Sequence, residues 1–389
     1  MTITELKDNM TTSIDHTLDK IIPLLEESGN QADQECIFPD KLLKVLKEIG
    51  LLSLLIPRKY GGRGGRTTDV IHLIEKVSAY CATTGTILMF HYQVVKRILQ
   101  FGSVKQKEKY LPMLAKGKLG ASAWTEPNSG ANKHGLAANL KRSQNGYVIN
   151  GQKSFCTSAG KADIYTVLVK SEETHHEMSD TFGLGNQSFV ILELTDKGIS
   201  FGETWNGMGM KGTSTSEIIL ENCYIPTDRI IGEHGDGTAI MKANRNSAIH
   251  PGIIGLGLSS KAFQVALTYA KKRNLTNHQV IRFYLSDMKT HLEATKLIVY
   301  KAGEYADNGT PKEAELYTMM SKVLVANNSI HITNMALQIL GGKGYLQEYI
   351  VERLYRDARA LALMGPTSEL CKEIIFKESS EKESSEDKT

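Results

Sequence analysis

The chain is 389 residues long, with 46 basic and 43 acidic side chains and a net charge of +3. Hydrophobic residues make up 41% and charged residues 23%, ordinary values for a globular chain. Charge this balanced excludes an electrostatic nucleic-acid binder, and no run of about 18 apolar residues is present to cross a membrane. The opening MTITELKDNM lacks the basic-then-apolar layout of a secretory signal. The cysteines, Cys36, Cys81, Cys156, Cys223 and Cys371, are odd in number, far apart and form no CxxC pair. Reduced, mostly interior thiols and a cytoplasmic location are the expectation.

Residues 1–120 read as a helical domain. Leu42, Leu43, Val45, Leu46 and Ile49 recur at helical spacing before Gly50, and a second run follows the turn-rich 60–69 through Val70, Ile71, Leu73, Ile74 and Val77. A third apolar run covers 86–99, and KQKEKYLPMLAKGK closes the block with Lys116 and Gly117 as a helix stop. Residues 121–232 read as a β-domain. Its short β-branched segments at 147–151, 164–170, 188–194 and 217–225 are bounded by turn residues and predict an antiparallel sheet or barrel. The polar 171–187 reads as a long surface loop, with His175 and His176 solvated rather than ligating a metal. Residues 233–377 return to helical period. Leu285, Met288, Leu292, Thr295 and Val299 form a stripe, and Thr310 and Pro311 open a further helix as N-cap and first position. The charged, low-complexity 378–389 predicts a disordered tail.

Several segments stand out from this scaffold. GGRGG (61–65) does not fit a dinucleotide fingerprint and follows no strand. SAWTEPNSGAN (122–132) and FCTSAG (155–160) are loops rich in hydroxyls and aromatic groups, and loops often carry function. LGGKGYLQEYIVERLYRDAR (340–359) begins with a glycine pair that permits close backbone approach to a ligand.

Taken in order, these segments resemble the acyl-CoA dehydrogenase family of flavoproteins, over roughly 40–376. IPRKYGG (56–62) is similar to the family's I-P-x-x-Y-G-G, and SVKQKEKYLPMLAKGK (103–118) to its Q-K-x-x-Y-L-P-x-L-A-x-G block. TEPNSGAN is similar to T-E-P-x-A-G-S-D, MGMKGTSTSEIILENCYIP (208–226) to its M-G-x-x-G-S motif, and LGGKGYLQEYIVERLYRDAR is the most specific match. The resemblance implies an α+β fold: an N-terminal helical domain, a middle β-domain and a C-terminal four-helix bundle. It also implies FAD and a homo-oligomer, a dimer or more usually a tetramer. By position, Trp124 and Thr125 line the flavin ring, while Phe155 and Thr157 lie against the flavin and its ribityl chain. Thr367 hydrogen-bonds the cofactor. Arg273, Gln338, Gly341 and Gly342 meet the adenine–pyrophosphate half of a neighbouring subunit's cofactor.

The departures from the pattern concern chemistry. The family removes a substrate α-proton with a glutamate at one of two positions. One falls on Gly365, followed by Pro366 where the family has glycine. The other falls on Arg245, or on Asn244 if the reading is shifted by one. None is a carboxylate, and neither arginine nor asparagine takes up a proton at useful pH. His250 is the nearest substitute base, and His91 reads as pocket wall. Ala131 and Asn132 replace the family's S-D, and the loop after Arg273 lacks its F-G pair. The resemblance therefore implies an FAD oxidoreductase of an acyl thioester on coenzyme A or on a carrier protein, not a standard fatty acyl-CoA desaturase. An electron-transfer flavoprotein or oxygen is the acceptor. A flavin monooxygenase of the same fold is the alternative, and a silent scaffold is a third reading, opposed by retention of Thr125, Thr157, Gly341 and Gly342.

Overall fold

The computed structural model describes residues 14–130, 135–171 and 186–386, with side chains to residue 380. Ala131, Asn132, His175 and His176 lie outside the described residues. The first block holds α1 (Ile14–Asp19), α2 (Ile22–Glu35), α3 (Asp40–Glu48), α4 (Thr67–Ser78), α5 (Ala82–Phe101) and α6 (Val104–Ala115). Each helix follows its apolar period: α3 buries Leu42, Leu43 and Leu46, and α4 buries Val70, Ile71, Leu73, Ile74 and Val77. Helix α6 opens with a reciprocal cap between Ser103 and Gln106 and ends at Lys116, so its first free N–H groups are satisfied locally.

Eight strands follow: β1 (Gly120–Ala123), β2 (Asn139–Ser143), β3 (Gly146–Cys156), β4 (Ile164–Ser171), β5 (Gln187–Glu193), β6 (Ile199–Phe201), β7 (Ser216–Pro226) and β8 (Ile230–Ile231). They form one sheet in the order β6-β7-β3-β2-β4-β5-β8, with β1 beside β4. Most pairings are antiparallel, as the alternation predicts, but β1 and β2 both run parallel to β4. Parallel neighbours require crossover connections, and β3 lies in the chain between β2 and its parallel neighbour β4. The β3–β7 ladder slips at Gly151. That residue sits at φ +144 with Ala138 Cα 2.4 Å from where a Cβ would be, so only glycine fits.

The third block holds α7 (Gly237–Arg245), α8 (Gly252–Lys272), α9 (Gln279–Asn308), α10 (Pro311–Leu340), α11 (Ile350–Ala360) and α12 (Ser368–Glu386). Short connections make α8, α9 and α10 successive antiparallel neighbours. Helix α11 packs on α8 and α10, α12 packs on α10, and α4 from the first block packs on α8 and α9. The two helical blocks and one face of the sheet share a continuous apolar core. Thr310 caps α10 through Glu313 with Pro311 in the first turn, as the sequence predicts. Helix α12 continues through Glu386, with Glu378 paired to Lys312 on α10 at 3.3 Å.

Candidate active site

A cavity of about 670 Å³ opens where the three blocks meet. Helix α5 contributes Phe90 and Gln93, the end of β1 contributes Ser122, and the loop beyond it Trp124 and Thr125. The β3 end adds Phe155 and Thr157, the 205–215 loop adds Trp205 and Thr215, and α7 ends on Asn244 and Arg245. His250 and the 363–367 turn complete the wall. Five of the expected cofactor residues, Trp124, Thr125, Phe155, Thr157 and Thr367, converge on this one space. Arg273, Gln338, Gly341 and Gly342 do not: they are exposed. Because α8 and α10 run the same way, Arg273 and the Gly341–Gly342 pair sit at one end of the bundle.

The loops that carry the cavity are held from beneath. Glu126, 4% exposed, accepts from the Ala137 and Ala138 N–H groups and pairs with the fully buried Lys153 at 2.5 Å. The Ser154 N–H donates to the Thr125 carbonyl at 2.8 Å. Phe155 is 63% exposed, sits at φ +53 and stacks on Trp205 with centroids 5.6 Å apart. A non-glycine residue at positive φ beside a ligand space is a strained arrangement typical of functional sites. The Met210 N–H donates to the buried Asp357 carboxylate at 2.6 Å, tying the 205–215 loop to α11. Burial pushes that carboxyl up to about 6.

These residues suit the expected cofactor. An exposed aromatic pair offers an apolar wall for a planar ring, and Thr157, Thr213 and Thr215 form a chain of hydroxyls at 3.4 and 2.8 Å. Thr367 accepts from the Leu370 N–H at 3.3 Å, capping α12, and keeps its hydroxyl hydrogen to donate.

No described residue lining the cavity is an aspartate or glutamate. Gly365 sits at φ +69. Arg245 Nε donates to Glu315 Oε1 at 2.6 Å, and Glu315 is 3% exposed. His250 lines the cavity with both ring nitrogens engaged. The Gly252 N–H donates to Nδ1 at 3.1 Å, so Nε2 carries the hydrogen and donates to Ser321 Oγ at 2.9 Å. Burial, with Lys322 nearby, lowers it to about 3. The ring is held between two partners within the fold. His91 is also not pocket wall: its ring is buried between the Leu52 carbonyl and the Gly120 N–H, at 2.8 and 3.2 Å, while its neighbour Phe90 lines the space.

The sequence reading missed Arg97. It is 2% exposed and donates to Ser122 Oγ at 3.1 Å, to Thr166 Oγ1 and to Asn244 Oδ1 at 3.2 Å. Its guanidinium lies over the Phe189 and Trp124 rings, 4.5 and 5.3 Å from their centroids. The available signal was a cation at a buried phase of an apolar helix. Glu315 gave no signal, because its partner is 70 residues away.

The comparisons with known proteins agree with this architecture. Family models for the N-terminal, middle and C-terminal domains of acyl-CoA dehydrogenases match residues 18–118, 121–223 and 235–379. The chain is 34% identical over 363 residues to an acryloyl-CoA reductase (NADH) of Anaerotignum propionicum, covering 91% of this chain and 90% of that one. Among solved structures, butyryl-CoA dehydrogenase from Megasphaera elsdenii superposes with a TM-score of 0.84 at 28% identity, covering 92% and 97% of the two chains. A prolyl acyl carrier protein oxidase superposes with a TM-score of 0.83 at 25% identity, covering 92% and 96%.

Proposed function

The chain belongs to the acyl-CoA dehydrogenase family and is an FAD-dependent oxidoreductase of acyl thioesters; from that premise we propose that simple saturated fatty acyl-CoAs are not its substrates. The observation that carries this is the absence of any aspartate or glutamate among the described residues lining the cavity. Bound FAD supplies the hydride acceptor. Trp124, Phe155 and Trp205 line the cavity and would wall the cofactor's ring and exclude water, and Thr157, Thr215 and Thr367 would offer it hydroxyls. Among the described lining residues none takes the α-proton: Asn244 cannot, Arg245 is already a cation bound to Glu315, and both nitrogens of His250 are used. General-base help is worth about 10²–10⁴-fold, so the substrate must supply that driving force itself. The family relatives include one named for a CoA thioester and one for an acyl carrier protein, which supports keeping both tethers in the proposal.

The exposed Arg273, Gln338, Gly341 and Gly342 are read as contacts to a neighbouring chain's cofactor in a homo-oligomer. The test of substrate class is anaerobic bleaching of the purified holoenzyme by butyryl- to palmitoyl-CoA. Slow or absent bleaching is expected, and rapid reduction by any member of the series overturns the proposal.

A further inference from the structure

Cations around the cavity differ in how they are neutralised. Arg356 grips Asp33 through two bonds of 2.7 and 2.6 Å and also pairs with Glu352. Arg245 pairs with Glu315. Arg97 is more deeply buried than either, yet among the described residues it meets no carboxylate: it donates to the neutral oxygens of Ser122, Thr166 and Asn244 and lies over the Phe189 and Trp124 rings. Its Nε has no partner. Burial lowers it to about 9. A buried cation without a counter-charge is costly and is ordinarily paired.

Asn244 transmits this charge to the cavity. Arginine only donates, so the asparagine oxygen must face it, whichever way the amide is drawn. The Nδ2 hydrogens are then left toward the cavity that Asn244 lines, and no described residue accepts from them. The result is a pair of hydrogen-bond donors, fixed in place and polarised by a cation behind them. A proton-accepting group at this position would receive hydrogen from the substrate, whereas these donors call for an acceptor on it.

We propose that Asn244, backed by Arg97, is a specificity-determining residue that receives a carboxylate carried on the acyl group of the thioester. This inference rests on the acyl-thioester reading above. Carboxylate is the fitting chemistry because it offers acceptor oxygens and the missing negative charge together. Arg97 acts through Asn244 and is a positioning residue.

The test is a titration of the FAD holoenzyme, followed by flavin absorbance perturbation, with two matched pairs of thioesters, each on CoA and on pantetheine. One pair is methylmalonyl and 2,3-dimethylbutanoyl, the other glutaryl and 5-methylhexanoyl; within each, a carboxylate replaces an isopropyl group of similar shape. Preference for the carboxylate member of at least one pair by about tenfold or more is expected. It should collapse toward unity in Asn244→Leu and weaken in Arg97→Met. Arg97→Met could fail to fold, and the Asn244→Leu result then stands alone as the deciding one. Equal or weaker binding of both carboxylate members overturns the proposal while leaving the thioester reading intact. If no thioester perturbs the flavin, both fail. If Asn244→Leu keeps the full preference and Arg97→Met shifts only the flavin potential, the proposal is overturned and the counter-charge is the reduced flavin.

Discussion

Restoring a carboxylate at the 363–367 turn tests the reading of this site most directly. Gly365 sits at φ +69, and a Cβ there would meet only the Pro251 ring, at 3.5 and 3.7 Å, so a glutamate has room. A side chain at this φ costs about 1–2 kcal/mol. Replacing Pro366 with glycine frees the unfolded chain and costs roughly 0.5–1 kcal/mol more. The double variant Gly365→Glu, Pro366→Gly is therefore expected to fold, with a melting temperature lower by about 5 °C. In return it places a general base against the cavity, worth about 10²–10⁴-fold in rate. The assay is stopped-flow anaerobic bleaching with butyryl-, octanoyl- and palmitoyl-CoA, set beside the parent and beside Gly365→Glu alone. The single variant gains less, because Pro366 fixes its own φ and withholds a backbone donor. If the double variant retains FAD and bleaches no faster with any of the three, the absent carboxylate is not what limits the parent, and the reasoning fails.

Three further outcomes follow from the geometry. Arg245→Glu, which sequence alone suggests as a parallel repair, should instead destabilise by about 3–5 kcal/mol, since it sets a second carboxylate against the buried Glu315; thermal melts that stay within 2 °C of the parent, the order of 1 kcal/mol or less, would contradict this. Asp357 is raised from 3.8 to about 6 by burial, so the folded chain favours its protonated form, and the cost of ionising it grows as pH rises through that window, reaching up to ~3 kcal/mol above it. Asp357→Asn keeps an acceptor for the Met210 N–H, so it should raise stability at pH 7.5 and change little at pH 4; a loss at pH 7.5 would show that the carboxylate's charge is net favourable. Arg273→Ala is expected to lower FAD retention on gel filtration without shifting the melting temperature of the apoprotein, and unchanged retention would remove Arg273 from the cofactor contacts.

Much of the scaffold was legible because its causes are local. Thr310, Pro311 and Glu313 form a cap within four residues, and the β-branched runs became β3, β4, β5 and β7. Trp124, Thr125, Phe155, Thr157 and Thr367, picked out through motif order, line one cavity. What escaped the sequence depends on partners far along the chain. Arg97 acquires its meaning from Ser122, Thr166 and Asn244, which are 25, 69 and 147 residues away. His250 seemed available until Ser321, 71 residues on, occupied its second nitrogen.

The Glu126–Lys153 pair beneath the loop that carries Trp124 and Thr125 also bears on how this sequence can drift. Losing either partner first leaves a lone buried charge, at about 3–5 kcal/mol. Simultaneous replacement by apolar residues, which rescues many buried pairs, fails here as well, because Glu126 also holds the Ala137 and Ala138 N–H groups. Each single step that removes one of the two charges is costly, and so is the simplest double step. The two positions are therefore locked together in descent, and the lock would operate even in a lineage that had abandoned the chemistry above it.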